Sequence, residues 1–228
     1  MLQRTKLQQH LNDYYGPWAL VTGASSGIGL AVAEELAAAG LQLVISARNE
    51  QQLLEVKNNI KSRFPVEVKV VAADLSTTSG IDLLISETQH LPIGLLVASA
   101  GYGTSGLFAD SSIHAEINML RVNCEAVLAL THHFVQRMMQ QKKGGIILLS
   151  SIVAFQGVPY AAHYAATKAY IQSLAEGMAE ELRPFNVAVL AAAPGPVSSG
   201  FADRAHMTMG KTLQPEAIGV PILQALGK

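Results

Sequence analysis

Short apolar runs alternate along this chain with longer segments whose apolar positions recur every three or four residues. The runs near Ala19–Thr22, Gln42–Ala47, Val66–Ala72, Gly94–Ala98, Gly145–Ser150 and Val187–Ala193 are four to seven residues long and rich in Val, Ile, Leu and Ala. That length and composition suit strands buried on both faces. Between them, helical spacing covers Ile28–Ala39, Gln51–Lys61, Thr78–Gln89, Ala115–Gln140, Tyr160–Arg183 and Pro215–Leu226. Gly40 stops the first of these helices, and Pro184 follows Arg183 at the end of the fifth, since neither residue continues a helix well. A strand followed by a helix, repeated, predicts a parallel sheet with right-handed crossovers. The expected α/β architecture is doubly wound, with strand order 3-2-1-4-5-6, helices on both faces and ligand at the carboxyl ends of the strands. Residues 1–17 read as a short leader compatible with a helix and a packing role, ending at Gly16-Pro17; residues 18–228 read as a single domain.

Composition agrees with a large buried sheet. Half of the 228 residues are hydrophobic and 14% are charged, which suits one sizeable domain. A net charge of −1 offers no electrostatic case for nucleic acid or an anionic membrane surface. Cys124 is the lone cysteine; it cannot form an intrachain disulfide, and in an apolar helix it reads as packing. Met1–Tyr15 is too polar for a signal peptide, and the charge-free stretch Phe185–Ala202 is broken by Pro194, Gly195 and Pro196, so no membrane span is expected. A cytoplasmic protein is the default expectation.

Two clusters carry chemistry. Thr22-Gly23-Ala24-Ser25-Ser26-Gly27-Ile28-Gly29 lies between the first strand and the first crossover helix. In such a loop Gly23 permits the tight turn, Gly27 lets the backbone approach a pyrophosphate, and Gly29 lets helix pack on strand. Free N–H groups at the helix start then meet phosphates. Far downstream, Tyr164 and Lys168 stand four residues apart on one helix, with Ser151 thirteen residues before the tyrosine. One helical turn brings the phenol and the ammonium to one face. A phenol has a pKa near ~10 in water, and an adjacent ammonium is expected to lower it. Phosphoryl or acyl transfer is disfavoured: Gly210-Lys211-Thr212 has Ala205 where a phosphate loop needs its first glycine, and the Gly-x-Ser-x-Gly string at Gly23–Gly27 is part of the glycine-rich loop after the first strand. No metal site is expected. His132 and His133 are adjacent and point apart, and His163 has no partner in metal-binding register. Each reads as a surface histidine, with His163 close enough to Tyr164 to line a cleft.

Together these segments resemble the short-chain dehydrogenase/reductase family from about Trp18 onward. Its glycine motif appears as Thr22–Gly29, its Tyr-x-x-x-Lys as Tyr164–Lys168, its serine as Ser151, its helix asparagine as Asn123 and its Pro-Gly turn as Pro194-Gly195-Pro196-Val197. The resemblance implies a Rossmann fold with a sheet of six or seven strands, and hydride transfer between NADP(H) and a ketone or alcohol. Tyr164 would be the general acid or base, and Ser151 would hold the carbonyl oxygen. Lys168 would tune the phenol and grip the nicotinamide ribose, and Asn123 would hold a water linking Lys168 to solvent. Cofactor contacts are expected at Gly23, Ser25, Ser26, Gly27, Ile28, Gly29, Arg48, Asp74, Leu75, Ala100, Gly101, Asn123, Tyr164, Lys168, Pro194, Gly195, Val197 and Ser199.

The end of the second strand, Ser46-Ala47-Arg48-Asn49, selects the cofactor. An acid there would hold the ribose diol of NAD(H), whereas Arg48 favours a 2′-phosphate and hence NADP(H). Read blandly, Arg48 is a solvated helix-start residue. Asp74 matches the family's adenine-contacting acid, or caps the helix that Leu75-Ser76-Thr77 opens. One departure is plain: Ala98-Ser99-Ala100-Gly101 stands where the family has Asn-Asn-Ala-Gly, so an amide that ties neighbouring strands is lost. Tyr102, Val153, Phe155, Val158, Pro159, Tyr160 and the segment 201–209 are expected to wall the substrate pocket, which suits an apolar or acyl-chain carbonyl. The chain stops soon after Leu226, where the family continues into a seventh strand, so a homodimer through the two long helices is expected rather than a tetramer. Ala161, Ala165, Ala169 and Ala175 would allow its close approach. A protein of another class, binding NADP(H) as a regulator without turnover, is the alternative.

Overall fold

In the computed structural model, which describes residues 2–198, 200 and 210–228, six strands form one parallel sheet. They are β1 (Trp18–Thr22), β2 (Gln42–Ala47), β3 (Val68–Ala72), β4 (Ile93–Ala98), β5 (Gly144–Leu149) and β6 (Val187–Ala192). Their order is β3-β2-β1-β4-β5-β6, as the alternating pattern predicts. Along each strand, side chains alternate between two cores. Val21, Leu43, Ile45, Val97 and Ile147 face one; Leu20, Val44, Leu96, Ile146 and Leu148 face the other. Both faces are therefore apolar, which is why the strands read as unbroken hydrophobic runs.

Helices α1 (Leu2–Tyr15), α2 (Gly27–Ala38) and α3 (Glu50–Arg63) contribute to the first core. Helices α4 (Thr78–Thr88), α6 (Ala126–Gln141) and α7 (Ala162–Leu182) contribute to the second. Helix α5 (Ile113–Leu120) leads into α6, and α8 (Glu216–Ala225) returns to the first face, where Gly219 lies so close to α2 that a Cβ would stand 3.3 Å from the Ala31 carbonyl. The leader is helical, and Leu11 and Tyr15 are buried in the first core.

Three expectations change. The helix foreseen over Ala115–Gln140 is helical throughout but not one regular α-helix, because a π turn at Arg121–Glu125 joins α5 to α6. The third strand begins at Val68 rather than Val66, since the Val66 N–H bonds back to the Phe64 carbonyl (2.9 Å) in a turn. Finally, Ala165 and Ala175, assigned to a partner-facing stripe, are buried against the protein's own core.

The sheet order reverses between β1 and β4, where successive crossovers leave in opposite directions. The connections part there and leave a crevice above the carboxyl ends of the strands.

Candidate active site

A cavity of about 800 Å³ fills that crevice, and the segments leaving all six strands line it. One end belongs to the loop after β1. Gly23 has φ +66°, a backbone region open to glycine, and a Cβ there would press within 2.8 Å of Ala100. A Cβ on Gly29 would collide with the Gly23 carbonyl, so α2 can approach β1 only without one. Helix α2 then starts at Gly27 after Ser26, which makes no side-chain cap, leaving the first-turn N–H groups to meet an anionic ligand. Ser25, Ser26, Gly27 and Ile28 line the cavity here.

Arg48, Asn49 and Gln52 continue the wall beyond Ser25, so a guanidinium and polar groups surround the place a ribose phosphate would occupy. The Asn49 side chain caps α3, accepting from the Gln52 N–H at 3.1 Å. Asp74 and Leu75 line the opposite side. Asp74 does not cap α4, as one reading had it. Thr77 does, accepting from the Gly80 N–H at 3.0 Å, while the Asp74 carboxylate accepts from the Ser76 N–H and hydroxyl at 3.0 and 2.8 Å. These bonds hold its carboxyl below the usual carboxylate range, and Arg48 adds to the same effect.

The segment after β4 is tied to the glycine loop through its backbone. The Thr22 hydroxyl accepts from the N–H groups of Ser99 and Ala100, both at 3.1 Å, so the residue opening the glycine motif ties β1 to β4. Ala100 and Gly101 line the cavity. Asn123, buried in the π turn, brackets the next residue: its Oδ1 accepts from the Tyr102 N–H (3.1 Å), and its Nδ2 donates to the Tyr102 carbonyl (2.9 Å) and to Thr167 Oγ1 (3.0 Å). Both amide hydrogens are thus committed to the scaffold. Asn123 thereby joins the post-β4 segment to α7.

At the other end, Ser151, Tyr164 and Lys168 come together from the end of β5 and the start of α7. Tyr164 is 9% exposed and Lys168 7%. Burial pushes the Tyr164 phenol above its ordinary value, and a hydrogen bond with Ser151 pulls the other way. Here the structure corrects the expectation of a phenol made acidic by its neighbour. The Lys168 Nζ lies 5.8 Å from the Tyr164 ring centre and donates to the Leu149 carbonyl at 2.7 Å, and burial is what sets the direction of the phenol's shift. Burial also lowers Lys168 itself, to about 8. Cys124 is buried, and desolvation pushes its thiol up to about 11, which suits packing rather than attack.

Pro194, Gly195, Pro196 and Val197 complete the lining after β6, joined by Gly210. Ser199 and the segment 201–209 lie outside the described residues. Of the other expected walls, Tyr102, Val153 and Val158 line the cavity. Phe155, Pro159 and Tyr160 stand outside it and are exposed. Ile152 and Asn118 line the cavity and were missed, since nothing in their local sequence sets them apart.

His163 is not a surface histidine. Its Nδ1 meets Glu116 Oε2 at 2.7 Å, and the carboxylate is buried. Nor does it line the cleft. His133 is half-buried, edge-on to Phe134, and burial lowers its pKa. Among the described residues, no helix is long and apolar enough to cross a membrane.

Comparison with known proteins places this geometry. The family model described as short chain dehydrogenase matches residues 17–209. A very-long-chain 3-oxoacyl-CoA reductase-like protein of Arabidopsis thaliana is 34% identical over 190 residues, which is 81% of this chain and 61% of the relative's length. A 7β-hydroxysteroid dehydrogenase of Mediterraneibacter gnavus is 30% identical over 208 residues, 91% of this chain and 73% of the relative. Among solved structures, a short-chain dehydrogenase from Sphingobium yanoikuyae in complex with NADPH superposes with a TM-score of 0.86 at 27% identity, covering 92% of this chain and 82% of that one.

Proposed function

The chain belongs to the short-chain dehydrogenase family, and on that premise we propose that it is an NADP(H)-dependent oxidoreductase interconverting a ketone and an alcohol, with Ser151, Tyr164 and Lys168 as its reacting group. One observation carries the reading: a single cavity has an uncapped helix start and Arg48 at one end and a buried Ser151–Tyr164 hydrogen bond at the other. Gly23, Gly27 and Gly29 leave room for a pyrophosphate, and Arg48 with Ser25 would take the 2′-phosphate that distinguishes NADPH. The NADPH-bound neighbour supports this choice. Asp74 and Leu75 would flank the adenine, and Pro194 to Val197 the nicotinamide.

When bound, NADPH supplies a hydride to the carbonyl carbon. The chain's own residues then manage the oxygen. Ser151 donates a hydrogen bond to it and stabilises the developing alkoxide. Tyr164, kept protonated by burial, gives up its phenolic proton to that oxygen, so the product is a neutral alcohol. Lys168 offers positive charge to the phenolate left behind. Ile152, Val153 and Val158 beside this end of the cavity suit a carbonyl on an apolar body. The relatives named for 3-oxoacyl-CoA and hydroxysteroid chemistry point to the same class. A cytoplasmic homodimer through α5–α6 and α7 completes the proposal, because Leu120, Leu128 and Tyr170 leave apolar surface exposed on these helices.

A panel of ketones and aldehydes mixed with protein and NADPH, followed by NADPH absorbance, tests the reading. Oxidation is expected with apolar ketones and should fall by about two or more orders of magnitude in Tyr164→Phe, which lacks the proton to give. Cofactor binding with no oxidation across the panel would favour the regulator instead. In the same assay Arg48→Asp is expected to move preference from NADPH toward NADH; unchanged selectivity would remove Arg48 from the phosphate site.

A further inference from the structure

Helix α7 carries Tyr164 as its third residue, yet it begins without a capping side chain. Its N-cap is Ala161, which has no oxygen to offer the orphan N–H groups of the first turn. Tyr160, just before, sits at φ +63°, a region costly for a bulky side chain. A first turn of this kind frays readily, and it is the turn whose phenol must stay in register with Ser151.

Buried polar groups hold that turn from the side. His163, next to Tyr164, places Nδ1 2.7 Å from Glu116 Oε2. The other carboxylate oxygen, Oε1, accepts from Thr104 Oγ1 at 2.9 Å. Glu116 is 4% exposed. A carboxylate so far from water persists only where its oxygens are paired, and both are. Thr104 belongs to the segment after β4, and two residues on the Gly106 N–H donates to the Tyr160 carbonyl at 2.8 Å. The post-β4 segment therefore reaches the start of α7 twice, once through Glu116 and once directly.

We propose that Glu116 and His163 form a positioning pair that clamps the uncapped first turn of α7, aligning Tyr164 with Ser151 for proton transfer. Neither side chain lines the cavity, so the pair acts through the backbone of the turn and not on substrate. The catalytic half of the proposal rests on the oxidoreductase reading above; the clamp itself does not.

Two measurements separate these halves. Hydrogen exchange by mass spectrometry reads the clamp without turnover. In Glu116→Ala, amides of residues 162–168 should exchange about tenfold or more faster, the consequence of losing a charge-assisted hydrogen bond, while the β-strand amides stay as in the wild type. Unchanged exchange in this turn would overturn the proposal, and so would acceleration spread evenly over the molecule. Kinetics reads the alignment. Glu116→Ala and His163→Ala should each lower kcat roughly 10- to 100-fold, as small misplacements of a reacting group do, with KM for NADPH unchanged.

The double variant should be no slower than the slower single, since each change breaks the same tie. Glu116→Gln keeps an oxygen for Thr104 and an N–H for His163, so it should recover most of kcat. Additive losses in the double variant, or a Gln variant as slow as Ala, would sink the positioning role. A wild type that turns over no carbonyl while the exchange result holds would refute the oxidoreductase reading and leave the clamp standing.

Discussion

Burial takes Lys168 out of water, and the cost of carrying a charge there brings its pKa down to about 8. The same burial raises Tyr164, because there the charged form is the deprotonated one. The two groups thus respond in opposite senses to one cause. Through the neutral range Tyr164 keeps its proton, and Lys168 is cationic below about 8 and neutral above it. Carbonyl reduction should therefore weaken as pH rises through about 8, where the ammonium that steadies a nascent phenolate discharges. The profile of kcat/KM against pH reports this limb in the free enzyme. Lys168→Arg, which stays charged, should lose the limb even as its rate drops. A wild-type profile flat up to pH 10 would remove Lys168 from this role. The Tyr164–Lys168 spacing is legible in the sequence because one helical turn relates the two residues. The direction of the phenol's shift is not, since it depends on how much water the surrounding chain excludes.

Helix α1 and the π turn are the elements whose roles only packing reveals. Polar residues crowd α1, and its sequence carries little amphipathic pattern, yet Leu11 is 1% exposed and Tyr15 lies against Gly145, where an added Cβ would stand 2.7 Å from its ring. Two side chains thus anchor the helix under the sheet. Leu11→Ala should cost about 2–4 kcal/mol, the usual loss for a buried leucine that leaves a cavity, measured by urea denaturation. A loss within about 0.5 kcal/mol, the range of surface substitutions, would mean that α1 lies outside the cooperative core. The π turn at Arg121–Glu125 inserts a residue's worth of backbone between α5 and α6. Such turns recur at functional sites, and this one carries Asn123 to the Tyr102 backbone. Apolar spacing over Ala115–Gln140 reads as one helix, because a π turn keeps helical composition and changes only the register.

At the scale of the whole molecule, two apolar cores sandwich the parallel sheet, and the outer faces of α5 and α6 retain exposed Leu120 and Leu128. If a second copy covers them, Leu120→Glu with Leu128→Glu should convert a dimer to a folded monomer, because paired like charges oppose association. Sedimentation velocity reads the change, and an unaltered sedimentation coefficient would move the interface elsewhere. Strand order, helix order and the crevice at the carboxyl ends are all legible in the sequence, because burial on both sheet faces imposes continuous apolar runs and the crossover rule admits few arrangements. Local motifs are legible for the same reason: Thr22–Gly29 and Tyr164–Lys168 act through neighbours within a turn or two of the chain. Tertiary structure alone decides what depends on distant partners. It pairs Glu116 with His163 across 47 residues, ties the Thr22 hydroxyl to the backbone after β4, commits Asn123 to the scaffold, and sets Tyr164 and Lys168 shifting in opposite directions. Periodicity records which side of an element is dry; it holds no record of which polar groups meet there, because a buried hydrogen bond is specified by two positions that only the folded chain brings together.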